Sequence, residues 1–183
     1  MKADIILAGV GGQGILSIAA SIGMAALNSQ LYIKQAEVHG MSQRGGAVQS
    51  NLRISDRPIA SDLIPQGNAD LILSVEPMES LRYLPYLERH GWLVTNSNPY
   101  LNISDYPDMK AIEEQIAMHP NHILLDADRI ASDLGSRKVS NIVILGAATP
   151  FIGIDYSNGI DKMCIVKGYR KNDKIHFTEI IVW

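Results

Sequence analysis

IILAGVGGQGILSIAASIGMAALN, residues 5–28, places an apolar run, a glycine cluster and a second apolar run in immediate succession. Ile5-Ile6-Leu7 reads as the middle of a β-strand over 3–9, and residues 13–28 read as a helix. In that helix Ser17, Ser21 and Asn28 share one narrow polar stripe, while Leu16, Ile18, Ala19, Ile22, Met24 and Leu27 cover the rest. A helix this apolar is expected to be buried by its own sheet and by something else besides. Gly9, Gly11 and Gly14 carry the G-x-G-x-x-G spacing, in which bare backbone turns tightly and leaves helix N–H groups free for an anion. The same glycines equally serve a turn that lets a helix pack closely on a strand, so both readings stay open. On the first reading the candidate cofactor-binding residues are Gly9, Gly11, Gly12, Gln13 and Gly14. A conventional dinucleotide site is disfavoured. It wants an acid at the end of the second strand, about 20 residues on, whereas residues 5–36 contain no Asp or Glu and Lys34 occupies that region.

A second glycine segment follows about thirty residues later: AEVHGMSQRGG, residues 36–46. Arg44 stands beside Gly45 and Gly46, where a guanidinium can pair a carboxylate or phosphate at two points while bare backbone permits close approach. Glu37, His39, Gly40 and Gln43 complete a candidate interface or cofactor channel. The alternative is a solvated loop with turn glycines ahead of a strand. His39 alone favours that alternative, since a single His without a second ligand is more often a hydrogen-bonded structural group.

The rest of the chain cycles between strand and helix patterns. Strands are expected over 31–38, 46–54, 69–75, 91–96 and 122–125. In the second of these Val48, Ser50, Leu52 and Ile54 alternate with Gln49, Asn51 and Arg53, which suits an antiparallel pair or an edge. Helices are expected over 76–90 with a break or kink at Pro85, over 109–118, over 127–134 stopping at Gly135, and from a Ser140 cap through 141–148 to Thr149-Pro150. A last helix is expected over 158–170. This order argues for one domain over 1–183, a three-layer α/β/α sandwich of Rossmann-like form with a mixed, mostly parallel sheet.

Composition bounds the function. The 183 residues are 46% hydrophobic and 19% charged, ordinary for a globular protein that can bury a core. Sixteen basic and 19 acidic residues give a net charge of −3, which carries no nucleic-acid footprint. Cys164 is the only cysteine, so an intrachain disulfide and a chain-borne iron–sulfur cluster are both excluded. Residues 15–27 are too short and too polar for a membrane span, and no secretory leader pattern opens the chain, so a cytoplasmic location is expected.

Taken together, GVGGQGI at 9–15, EVHGMSQRGG at 37–46, SDRPIAS at 55–61, ADLIL at 69–73 and SNIVILGA at 140–147 resemble the gamma-type subunits of the 2-oxoacid:ferredoxin oxidoreductases. The HGMSQRGG wording resembles the indolepyruvate type more than the pyruvate or 2-oxoglutarate types. The resemblance implies a non-autonomous subunit of an enzyme that oxidatively decarboxylates a 2-oxoacid, here an arylpyruvate, to an acyl-CoA and passes the electrons to ferredoxin. It also implies a large partner subunit holding thiamine diphosphate, magnesium and the iron–sulfur clusters, with coenzyme A as a co-substrate; the group that the Gly9–Gly14 loop would cradle is then the nucleotide end of coenzyme A or the diphosphate of a neighbouring cofactor. The sequence agrees in lacking a GDG…NN thiamine motif. A pyruvate, 2-oxoisovalerate or 2-oxoglutarate relative, or a stand-alone nucleotide-binding module, stays open as an alternative. Members of the family commonly continue beyond the point matching Trp183, so a further closing segment, or one lent by a partner, is expected.

Other polar groups read as structural. His119 and His122 flank a proline turn rather than one helical face, and no metal site is assigned. Glu76-Pro77 reads as a helix start, with a pocket-lining acid at a strand end as the alternative. Asp126 and Asp128 read as caps, and Cys164 as an inert core thiol. Ser17 and Ser21 have no triad partner, so no catalytic residue is assigned.

Overall fold

The alternating pattern of residues 46–54 forms the one strand of the central sheet that runs against all the others. The computed structural model describes residues 1–39, 45–101, 103–154, 165–171 and 174–181. Its first strand β1 (Lys2–Val10) is followed by helix α1 (Ile15–Asn28), then by β2 (Tyr32–His39) and β3 (Ala47–Ser55). Next come β4 (Ala69–Ser74), α2 (Pro77–Arg82), β5 (Leu87–Asn96), α3 (Met109–Ala117), β6 (His122–Leu125), α4 (Ala127–Asp133) and α5 (Ser140–Ile152). The strands lie in the order β2-β3-β1-β4-β5-β6. β3 is antiparallel to both of its neighbours, and the pairs β1–β4, β4–β5 and β5–β6 are parallel.

Period-two alternation on the inner strands builds two cores. Ile5, Leu7, Leu71 and Leu73 point to the side covered by Ile18 and Ile22 of α1, Ala131 of α4 and Val143 and Ala147 of α5. Ile6 and Ile72 point the other way, onto Ile112 and Ile116 of α3 and Met78 and Leu81 of α2. With both faces covered, β1 is buried from Ala3 to Val10, as parallel strands require. The result is the expected three-layer sandwich.

The amino-terminal end of the sheet is tied by charge. Arg53 Nε donates to Asp4 Oδ1 at 2.7 Å and its Nη2 to Asp4 Oδ2 at 3.0 Å, while Nη1 reaches the carbonyls of Ser61 and Leu63. The carboxylate of Asp4 is almost wholly buried and also meets Lys2 Nζ at 2.7 Å. The SDRPIAS marker therefore belongs to a loop anchored at this end, where Lys2 of β1 pairs with Ser55.

Three expectations are corrected. The helix begun at Glu76 ends at Arg82, not His90; Pro85 sits in a short 3-10 turn, Leu84–Tyr86, and β5 starts at Leu87. Proline removes an N–H and crowds the carbonyl four residues back, so it ends this helix rather than bending it. At the other extreme, α5 begins at Ser140 without a side-chain cap and runs through Pro150 to Ile152. The Gly146 carbonyl, deprived of a donor at Pro150, accepts instead from Thr149 Oγ1 at 2.8 Å. Finally, 165–171 is strand rather than helix: β7 (Ile165–Lys171) pairs antiparallel with β8 (Lys174–Ile181). The β-branched and aromatic run KIHFTEII carries a strand preference that outweighs any helical reading of the segment before it. Residues 158–164 of that expected helix, with Cys164, lie outside the described residues.

Candidate functional site

β1 and β4 are parallel neighbours, yet the helices that follow them lie on opposite faces: α1 in the core over Leu7, α2 in the core over Ile6. The chain thus diverges at their carboxyl ends and leaves a crevice, the usual place for a ligand in an open α/β sheet. A cavity of about 430 Å³ occupies it. Gly12 and Gln13 form one wall with Val75 at the base; Asn96, Asn98, Pro99 and Tyr100 form a second; Asp128, Arg137, Lys138, Ser140 and Asn141 close the third.

The first wall depends on glycine. Gly9 is the penultimate residue of β1 rather than part of the loop, and a Cβ there would lie 2.4 Å from Val75 Cγ2 and 3.0 Å from Ile15 Cδ1. Gly14 caps α1 in the left-handed region at φ 81°, against Asn141 of α5. Gly12 has φ 100° with open space around it. Gln13 holds the turn between them, its Oε1 accepting from Val10 N–H at 2.7 Å. The two glycine segments meet directly. Gly11 N–H donates to the Gly46 carbonyl at 2.9 Å and Gly45 N–H to the Gly11 carbonyl at 3.4 Å, continuing the β1–β3 ladder beyond Val10 and Ala47.

The third wall brings positive potential. Arg137 and Lys138 lie on a 3-10 turn between α4 and α5, exposed, and neither makes an ion pair or side-chain hydrogen bond with another described residue. Helix α1 begins at the cavity without a side-chain cap and without an acid in its first turn, so its partial positive end is unopposed. Helix α5 also lacks an acid there, but its first N–H groups are engaged, Ser140 N–H by the Arg137 carbonyl and Ile142 N–H by Asn141 Oδ1 at 3.0 Å. Asn141 Nδ2 donates to the Gly14 carbonyl at 3.2 Å and locks the two helix starts together. Such a cluster can hold a phosphorylated or carboxylated group. Asp128 balances it on one side, accepting from Asn98 Nδ2 at 2.8 Å and from Asn96 Nδ2 at 3.5 Å.

Of the residues singled out from sequence, Gly12 and Gln13 line the cavity, whereas Gly9, Gly11 and Gly14 shape the turn behind it. Glu37 lies on the edge strand β2, opposite Ser50. Gly45 and Gly46 stand beside Gly11, and His39 ends β2 opposite Val48. Gly40, Gln43 and Arg44 lie outside the described residues. Sequence reading missed Arg137, Lys138, Asn141, Asn96 and Asn98. The signal for the first three was present as an adjacent basic pair followed by a helix start with no acid, GSRKVSN at 135–141.

Asp126 caps α4 by accepting from Arg129 N–H at 2.9 Å, while Asp128 faces the cavity instead of capping. Glu76 is fully buried and caps α2, its Oε2 accepting from Glu79 N–H at 2.8 Å. His119 Nε2 lies 3.2 Å from the Gly91 carbonyl and His122 Nδ1 2.6 Å from the His119 carbonyl, so each ring is engaged by backbone. Burial pushes the Glu79 carboxyl above its ordinary value, against the downward pull of the Arg82 guanidinium paired with it at 2.9 Å.

Residues 4–172 match the family model described as pyruvate ferredoxin/flavodoxin oxidoreductase. The chain belongs to that family. It is 37% identical over 162 residues to the indolepyruvate oxidoreductase subunit IorB of Pyrococcus horikoshii, a match covering 84% of this chain and 80% of that one. The fold is shared with the gamma subunit of keto/oxoacid ferredoxin oxidoreductase from Geobacter sulfurreducens, at a TM-score of 0.60 and 24% identity over 84% of this chain and 79% of that one. It also matches the 2-oxoglutarate:ferredoxin oxidoreductase of Magnetococcus marinus, solved with 2-oxoglutarate, coenzyme A and succinyl-CoA bound, at a TM-score of 0.63 and 18% identity. That match covers 85% of this chain but 25% of the other, where the same fold is one part of a longer polypeptide.

Proposed function

We propose that this chain is the small subunit of an indolepyruvate-type 2-oxoacid:ferredoxin oxidoreductase, and that its cavity receives the phosphates of coenzyme A. The reaction class follows from family membership, and the arylpyruvate preference from the 37% identity to an indolepyruvate oxidoreductase subunit. The observation that carries the ligand assignment is the meeting of Arg137 and Lys138 with the uncapped start of α1 around one cavity. Coenzyme A and thiamine diphosphate both bring phosphates to this chemistry; with thiamine diphosphate assigned to the partner subunit, this donor set is left for coenzyme A. The chain's own contribution is binding and orientation. Arg137 and Lys138 supply charge, the Gly12 backbone supplies an approach without a side chain, and the Asn96–Asn98 wall excludes water from one side. Thiamine diphosphate, magnesium, the iron–sulfur clusters and the docking of ferredoxin are assigned to a large partner subunit, because one cysteine cannot ligate a cluster. The assembly is placed in the cytoplasm.

The α1 surface supports a partner. Leu16, Met24 and Leu27 are 56%, 51% and 59% exposed and share a helix face with the exposed Ala20, a stripe without charge on the side away from the sheet. Co-expression with a thiamine-binding, cysteine-rich subunit should yield a stable complex that oxidises indolepyruvate with coenzyme A and ferredoxin, while the isolated chain shows no turnover. In that complex Arg137→Ala with Lys138→Ala should raise the KM for coenzyme A about 10- to 100-fold, the value of a lost charge-assisted hydrogen bond. Turnover by the chain alone refutes the subunit reading; an unchanged KM for coenzyme A refutes the ligand.

A further inference from the structure

Glu76 does more than start a helix. It sits at the carboxyl end of β4, next to Val75 at the cavity base, and is wholly buried without lining the cavity itself. One oxygen, Oε2, is used on the Glu79 N–H of α2. The other, Oε1, accepts from Tyr106 Oη at 2.5 Å and from Tyr100 N–H at 3.3 Å. A helix cap needs only the first of these bonds. The second oxygen reaches across to the connection between β5 and α3 and grips it at two points, six residues apart in sequence. Burial and the Glu76 carboxylate both push the Tyr106 hydroxyl well above the ordinary phenol range, so Tyr106 keeps its proton and remains a donor throughout the physiological range.

The gripped connection is the one that supplies the second cavity wall, Asn98, Pro99 and Tyr100. Its near end is held from the other side, since Asn98 Nδ2 donates to Asp126 Oδ1 at 3.0 Å and to Asp128 Oδ2 at 2.8 Å. Between Tyr100 and Tyr106, Leu101 and Ile103 are exposed. The wall is therefore suspended between two acidic anchors, one on α4 and one at the base of the crevice. We propose that Glu76 is a positioning residue: through Tyr106 and Tyr100 it holds the Asn98–Tyr100 wall at the distance from Arg137 and Lys138 that the phosphorylated ligand requires. This rests on the reading of the cavity as the coenzyme A site.

The test uses the assembled complex, with coenzyme A varied at saturating 2-oxoacid. Tyr106→Phe removes the donor and keeps the ring. It should raise the KM for coenzyme A about five-fold while kcat at saturating coenzyme A stays within about two-fold, the pattern of lost ground-state positioning. Glu76→Gln keeps one acceptor oxygen; turned to Tyr106 it gives up the Glu79 N–H, so this variant should lose melting temperature while its KM stays below that of Tyr106→Phe, and it serves as the readout if the first variant assembles poorly. An unchanged KM in Tyr106→Phe together with a lowered melting temperature overturns the proposal and makes the bond purely structural. Arg137→Ala run in parallel separates the two levels. If it raises the KM and Tyr106→Phe does not, the cavity assignment stands and the positioning role is refuted; if neither raises it, the cavity assignment fails and takes the positioning role with it.

Discussion

Replacing Gly14 by alanine should cost far more than the same change two residues earlier, at Gly12. Both glycines have positive φ, 81° and 100°, so alanine at either meets the left-handed penalty of about 1–2 kcal/mol. The surroundings differ. A Cβ at Gly12 has nothing within 4 Å, whereas one at Gly14 falls 2.4 Å from Asn141 Nδ2 and 3.3 Å from its Cγ. No adjustment of a few tenths of an ångström relieves that approach. Asn141 must rotate away, losing its bond to the Gly14 carbonyl, or α5 must shift from α1. The lost bond is worth about 1 kcal/mol, and residual crowding adds about 1 kcal/mol more. Gly14→Ala should therefore lie about 2 kcal/mol below Gly12→Ala in urea unfolding, a gap of about 4–8 °C in melting temperature for a chain of this length.

The double variant Gly14→Ala with Asn141→Ala decides the cause. It leaves the new Cβ facing Asn141's own Cβ position at 3.8 Å, an ordinary contact. Its cost should fall short of the sum of the two single variants by about 2 kcal/mol. If Gly12→Ala and Gly14→Ala destabilise equally, or if the double variant is additive, then backbone strain alone explains both glycines. The helix starts of α1 and α5 would in that case not be locked through Asn141.

Three further outcomes are expected. Arg44→Lys, which keeps the charge but loses the planar fork, should impair the assembled enzyme while leaving the melting temperature of the subunit within about 1–2 °C, whereas a buried structural arginine would cost about 3 kcal/mol or more. Met24→Lys with Leu27→Lys, placed on the exposed stripe of α1, should leave the fold intact and reduce recovery of the large subunit in a tagged pull-down; undiminished recovery removes α1 from the interface. For Glu79 the raised pKa fixes a sign. The folded chain holds this proton more tightly than the unfolded one, so burial of the carboxylate lowers stability once pH exceeds the unfolded value of about 4.3, increasingly until it passes the raised folded value. Unfolding free energies measured for wild type and Glu79→Gln should thus show wild type losing ground to the variant as pH climbs from about 4, and a pH-independent difference would contradict the burial argument.

What was legible in the chain was whatever short-range pattern decides. β1 and α1 followed from an apolar run, a glycine cluster and a second apolar run, and β3 was readable as an antiparallel strand because Val48 to Ile54 alternates. Failures came where two short-range signals competed. Glu76-Pro77 starts a helix convincingly, and the polar run to His90 looks helical, but Pro85 and the pairing of Leu87 with Ala69 turn it into a strand. The cavity was half legible. The glycine turn announced itself, yet its cationic wall is supplied by Arg137 and Lys138, more than 120 residues later. No local pattern relates them to Gly12; only the parallel placement of β1 beside β4, and the packing of α5 against α1 through Asn141 and Gly14, brings them there. Glu76 illustrates the same limit at a single residue. From sequence it offered either a helix cap or a crevice acid, one role excluding the other. The fold keeps the cap and discards the pocket-lining acid: one oxygen takes the Glu79 N–H, and the other, buried behind the cavity, takes Tyr106 and Tyr100.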